Sequence, residues 1–167
     1  MKSKLKYTLK AWPVIAVATI GLCYLTQLVS SWFGVELKEQ ANVETVRQLF
    51  LHAFDTKKAF LSAAFNVALI VAILPAFEEV VFRGPLRWLK NAKASFFAGA
   101  VILSVLFTAA HYFAQPWPDN AFVALFFFGL AQASIYRRTG SLWCAILNHA
   151  LFNLTNLVLL LMLPAPK

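Results

Sequence analysis

The sequence predicts an all-α protein, a polytopic transmembrane helix bundle of about five spanning helices with a short interfacial helix. Three observations predict it. Of its 167 residues, 60% are hydrophobic and 13% charged, a balance too apolar for a soluble domain of this length. The apolar residues gather into five runs, 11–32, 59–77, 95–113, 121–136 and 142–163. Each is near the ~20 residues that carry a helix across ~30 Å of hydrocarbon, the fourth being short. The basic residues fall between the runs and form no continuous face, a topology signal that excludes a nucleic-acid footprint.

The first run follows Lys2, Lys4, Lys6 and Lys10 and opens on Trp12-Pro13, with the proline near the first turn, where its missing donor does least harm. Trp32 is placed to anchor the far interface and Gly34 to end the helix. The run is longer than a secretory signal's apolar core, and no small-x-small site follows it. It therefore reads as a retained anchor. In the loop 33–58, Val43, Val46, Leu49, Phe50, Ala53 and Phe54 alternate with Glu44, Arg47, Gln48 and Asp55, the spacing of a short helix lying in the interface.

Arg83, Arg87, Lys90 and Lys93 follow the second run, whereas segment 114–120 between the third and fourth has no Lys or Arg. That segment, with Pro116 and Pro118, predicts a tight turn, and Arg137 to Ser141 predicts its counterpart on the other side. Loops this short make the last three helices antiparallel neighbours. With all three basic groups inside, the N-terminus is cytoplasmic and the first loop faces out. Cys23 and Cys144 both lie within apolar runs, unlike a metal or redox pair, and read as packing residues. One membrane domain, 1–167, is the simplest organisation.

Three polar groups interrupt the runs. An ionised side chain at mid-membrane costs ~2.5 to 3.5 kcal/mol on insertion scales, so a chain that keeps several has a use for them. In Glu78-Glu79-Val80-Val81-Phe82-Arg83, Glu79 and Arg83 share a helical face in the favourable order for an ion pair, and Glu78 points roughly 100° away. His111 lies four residues after Phe107, and Asn153 four after His149. Taken singly, these groups have ordinary structural readings: a charged helix end, an interfacial histidine, an interhelical hydrogen bond. Taken together, a carboxylate, two imidazoles and an amide on three helices supply a base, its partner and donors for developing charge.

Glu-Glu-x-x-x-Arg, Phe-x-x-x-His and His-x-x-x-Asn, in that order and each on its own helix, resemble the motifs of the CPBP intramembrane peptidases. That family includes the CAAX prenyl endopeptidases and the bacterial Abi-like proteins. The resemblance covers about residues 59–163 and leaves the first helix and its loop without a motif. It implies a glutamic-type intramembrane endopeptidase. By position, Glu78 would be the general base, His111 would hold the water, His149 and Asn153 would stabilise the oxyanion, and Glu79 with Arg83 would form the supporting ion pair. It implies no cofactor. The alternative is zinc held by Glu78, His111 and His149, since one carboxylate and two histidines also make a known catalytic zinc site. The expected partners are the lipid bilayer and a membrane-tethered or amphipathic peptide substrate, with no nucleic acid. The expected location is a prokaryotic plasma membrane. The rival reading is a non-catalytic immunity or scaffold protein of the same fold.

Depth sets one condition. Counted at ~1.5 Å per residue from the starts of their runs, Glu78 and His111 would lie near opposite faces. They can meet only if the second helix continues to about Leu89, kinked near Gly84-Pro85, so that Glu78 falls at mid-membrane.

Overall fold

The computed structural model describes residues 1–37, 41–89, 91–114 and 120–162. The described residues are helical and contain no strand. Helix α1 spans Lys2–Trp32 and α2 spans Ala41–Leu51. A second long helical run, Lys57–Leu89, divides into α3 (Lys57–Ala68), a π-turn (Leu69–Ile73), α4 (Leu74–Arg83) and a 3₁₀ segment (Gly84–Leu89). Helices α5 (Lys93–Ala114), α6 (Phe122–Thr139) and α7 (Leu142–Met162) complete the chain.

The second run extends to Leu89, as the depth argument requires, and the α-helix gives way at Gly84. The π-turn was not anticipated. Pro75, at the start of α4, has no N–H and its ring crowds the carbonyl one turn back. Widening the preceding turn relieves that crowding. The Thr56 hydroxyl caps α3 by accepting from the N–H of Ala59 at 3.0 Å, which satisfies one of the donors left open at a helix start.

Helix α1 begins at Lys2, nine residues before the expected start at residue 11, and Pro13 lies inside it. The reason is tertiary. Thr8 is wholly buried, its carbonyl accepts from Asn148 Nδ2 at 3.4 Å, and Trp12 Nε1 donates to Thr155 Oγ1 at 3.1 Å. Packing against α6 and α7 therefore holds the lysine-rich start in helical form. Gly34 follows the end of α1 with a left-handed φ of 69°, the conformation that favours glycine after a helix. Helix α2 coincides with the expected interfacial helix, whereas the Pro116 and Pro118 turn lies outside the described residues. Gly140, φ 62°, ends α6 and donates its N–H to the Tyr136 carbonyl at 2.7 Å.

Four helical runs are long and apolar enough to cross a membrane: Lys2–Trp32, Lys57–Leu89, Lys93–Phe113 and Leu142–Met162. The expected fifth, 121–136, forms α6, which does not meet that measure. Its place explains why. Helix α6 packs against α1, α5 and α7 and buries Ala124, Phe128, Gly129, Gln132, Ala133 and Ile135. A helix packed against three others, with Val123 and Phe127 on its exposed side, does not need an apolar surface on every side. The outward faces of the other helices carry Val14, Val17, Phe65, Ile102 and Leu161, all exposed, as lipid-facing residues must be.

The basic groups collect at one end of the bundle. Arg138 lies 5.5 Å from the Tyr7 ring and Arg137 lies 5.2 Å from the Phe96 ring. This brings together the starts of α1 and α5 and the end of α6.

Candidate active site

Helix α4 presents adjacent glutamates to two surroundings. Glu79 points into the bundle and is fully buried, with Arg83 buried one turn later. Arg83 Nε stands 3.3 Å from Glu79 Oε2. That oxygen has no aligned hydrogen bond, so the contact is chiefly Coulombic. The guanidinium also donates from Nη2 to the Gly129 carbonyl at 3.2 Å and lies 4.8 Å from the centre of the Phe107 ring, a cation–π arrangement strengthened by desolvation. The expected Glu79–Arg83 pair is therefore present, and deeper than a helix-end pair would be.

Glu78 lies at the rim. Its side chain keeps 19% of its surface exposed and that of His111 keeps 30%, against 4% for His149, so the first two reach the protein surface and the third does not. Glu78 Oε1 is 4.0 Å from His111 Nε2, and Oε2 is 3.5 Å from His149 Nε2. A single water can bridge either gap. The structure thus brings Glu78, His111 and His149 together from α4, α5 and α7.

Each imidazole is oriented through its other nitrogen. His111 Nδ1 lies 2.9 Å from the Phe107 carbonyl, which only accepts, so Nδ1 carries the proton. His149 Nδ1 lies 2.9 Å from Glu79 Oε1 and, facing a carboxylate, is likewise the donor. In both rings Nε2 is then the nitrogen that faces Glu78. The Glu79–His149 contact was not foreseen, because it joins residues 70 positions apart and no local spacing signals it. The chain Arg83, Glu79, His149 links the ion pair to the imidazole that faces Glu78.

Aromatic rings wall this cluster. Phe107, almost wholly buried, has its ring centroid 4.5 Å from that of His111, and Phe128 lies 4.9 Å from His149. Gly129 admits the close approach of α5: a Cβ there would stand 2.9 Å from Ser104 Cβ and 3.2 Å from its Cα. Behind His149, Gln132 Nε2 donates to Asn148 Oδ1 at 2.9 Å. Both are fully buried, and neither was singled out as part of the site. Asn148 was visible beside His149, but Gln132 carried no spacing signal.

Asn153 lies one turn beyond His149 on α7, and its Nδ2 donates to the carbonyl of Ile70 in the π-turn at 2.9 Å. Its second amide N–H is not used by that bond. Among the described residues, no three His, Cys, Asp or Glu side chains are disposed to hold a metal ion. Two concavities of ≈ 510 Å³ lie elsewhere, one lined by Val80, Arg87, Trp88 and Tyr136 and the other by Lys4, Tyr7 and Arg138. The Glu78 cluster opens instead through the exposed edges of Glu78 and His111.

No curated protein and no solved structure matches the chain. Residues 60–155 match the family described as type II CAAX prenyl endopeptidase Rce1-like. The match takes in α4, α5, α6, the π-turn and all seven motif residues placed above, and covers more than half of the chain. An integral membrane helix bundle that carries this stretch belongs to the Rce1-like family of type II CAAX prenyl endopeptidases.

Proposed function

We propose that the protein is a glutamic-type intramembrane endopeptidase that hydrolyses peptide bonds in membrane-tethered or amphipathic substrates. The observation that carries this reading is the Glu78 carboxylate standing 4.0 Å and 3.5 Å from two Nε2 atoms whose rings are each fixed through Nδ1. Water held between Glu78 and His111 loses a proton to Glu78 as its oxygen bonds to the scissile carbonyl carbon. The carbonyl oxygen becomes an oxyanion. A doubly protonated His149, its Nδ1 on Glu79, can donate Nε2–H to it, and the second N–H of Asn153 is the other candidate donor. Glu78 then gives its proton to the leaving nitrogen, the C–N bond breaks, and a carboxylate and an amine result. No step passes through a metal.

By analogy with the family, prenylated CAAX tails are candidate substrates, beside other C-terminal tails and peptides of membrane-bound proteins. The clustering of basic residues at one end of the bundle supports a cytoplasmic N-terminus.

Cleavage of tethered peptides by detergent-purified protein tests the proposal. General-base action contributes ~10²- to 10⁴-fold, so Glu78→Gln should lower kcat by that order. Equal cleavage by the variant and the unaltered chain would exclude Glu78 as the base, and cleavage by neither would leave the scaffold reading. Turnover that survives chelation, in protein free of zinc by elemental analysis, is expected. Turnover lost on chelation and restored by zinc would instead favour the zinc site of Glu78, His111 and His149.

A further inference from the structure

The π-turn leaves a carbonyl without a backbone donor. Within Leu69–Ile73 the N–H of Leu74 goes to the Leu69 carbonyl, so it is not available to Ile70 one turn back. The residue five beyond Ile70 is Pro75, which has no N–H. In neither helical pattern, therefore, does the Ile70 carbonyl find a partner within its own run. The donor it has is the amide of Asn153 on α7, and the π-turn packs against that helix.

The consequence is rotational. One extra residue in a helical turn rotates everything beyond it by roughly 100° relative to everything before it. Glu78 and Glu79 lie just beyond the turn on α4, while α3 lies before it. The turn therefore sets, relative to α3, which glutamate faces the rim and which faces the interior, while the pairing of Glu79 with Arg83 follows from their spacing within α4. Asn153 grips it from the same helix that carries His149, one turn away.

We propose that Asn153 is a positioning residue: by supplying the donor that the π-turn and Pro75 together deny to Ile70, it fixes the rotation at which α4 presents Glu78 to His111 and His149. The amide has two N–H groups, and this role uses one. The proposal rests on the peptidase reading for its effect on catalysis, but the contact itself can be tested without activity.

The test is a double-variant cycle read by hydrogen–deuterium exchange across 69–78 in detergent, with peptide hydrolysis as a second readout. Asn153→Leu keeps the approximate size of the side chain and removes the donor. A part-buried carbonyl left without its donor should speed exchange in this segment by about tenfold. Pro75→Ala places an N–H five residues beyond Ile70, so in the double variant exchange should return most of the way to that of the unaltered chain. Should Asn153→Leu alone fail to fold, recovery of monodisperse protein on adding Pro75→Ala reports the same rescue. Exchange that does not change in Asn153→Leu, or that rises equally with proline or alanine at 75, would overturn the proposal. So would failure of both the single and the double variant to fold.

Hydrolysis separates the two roles of the amide. If kcat recovers along with exchange, positioning accounts for Asn153. If exchange recovers and kcat does not, positioning stands and the second N–H is assigned to the oxyanion. If the unaltered chain hydrolyses nothing, the peptidase reading fails, and exchange alone still decides the contact.

Discussion

Glu78 and Glu79 are neighbours in sequence and belong to two different regions of the molecule. Around Glu79 the structure is closed: Arg83 and His149 surround it, and its side chain has no exposed surface. Around Glu78 it is open, with two imidazoles nearby and 19% of the side chain at the surface. The difference shows how a helix divides labour between identical side chains. The buried carboxylate is held by charges and holds an imidazole in return, which makes it part of the framework. The rim carboxylate is left with free oxygens and access to water, which is what a base needs.

That contrast can be broken from either side. The largest structural effect is expected at Arg83→Ala, which strands the charge of Glu79 in the interior at a cost of about 3 to 5 kcal/mol. It should appear as a sharp fall in folded yield and thermal midpoint in detergent. Glu78→Gln should leave both nearly unchanged while removing turnover, so equal losses of yield in the two variants would erase the distinction between rim and interior. Gly129→Ala comes next. The added methyl meets Ser104 at its Cβ and Cα, so α5 must move away from α6, at about 1 to 3 kcal/mol for overpacking. Such a shift also disturbs the carbonyl that receives Arg83, and a lower thermal midpoint should accompany reduced hydrolysis. The smallest effect is expected at Trp12→Phe. It removes the hydrogen bond to Thr155 and keeps most of the ring, for about 0.5 to 1.5 kcal/mol. A change in kcat from this substitution would show that α1 shapes the site as well as supporting it.

Much of the fold was legible because lipid imposes its own grammar. Runs of apolar residues, basic groups between them and glycines at 34 and 140 mark the helices and their ends, and the need for Glu78 to meet His111 extends the second helix to Leu89. The polar motif residues were legible for the same reason, since each stands where hydropathy would exclude it. Contacts between distant segments were less visible. The hydrogen bond from His149 to Glu79 and the grip of Asn153 on Ile70 depend on how α7 crosses the second run, which no spacing encodes. Pro75 was the one local sign of the π-turn, but a proline in a helix is equally compatible with a simple kink. The early start of α1 was hidden because four lysines mask a helix whose order comes from Thr8 and Trp12 seated on other elements. The packing of α6 against three other helices had only an indirect signal, its short, less apolar run.

The enclosure of α6 bears on how the chain is assembled during synthesis. A segment carrying Gln132 near its middle gains little by partitioning alone from the insertion machinery into lipid, since a polar amide without a partner is costly to transfer to an apolar medium. Its natural companions are α5, inserted just before it, and α7, which emerges after it. The last three helices are therefore expected to settle cooperatively. A nascent chain interrupted after Gly140 would expose α6 without its third wall, as a poorly held segment for membrane quality control to recognise.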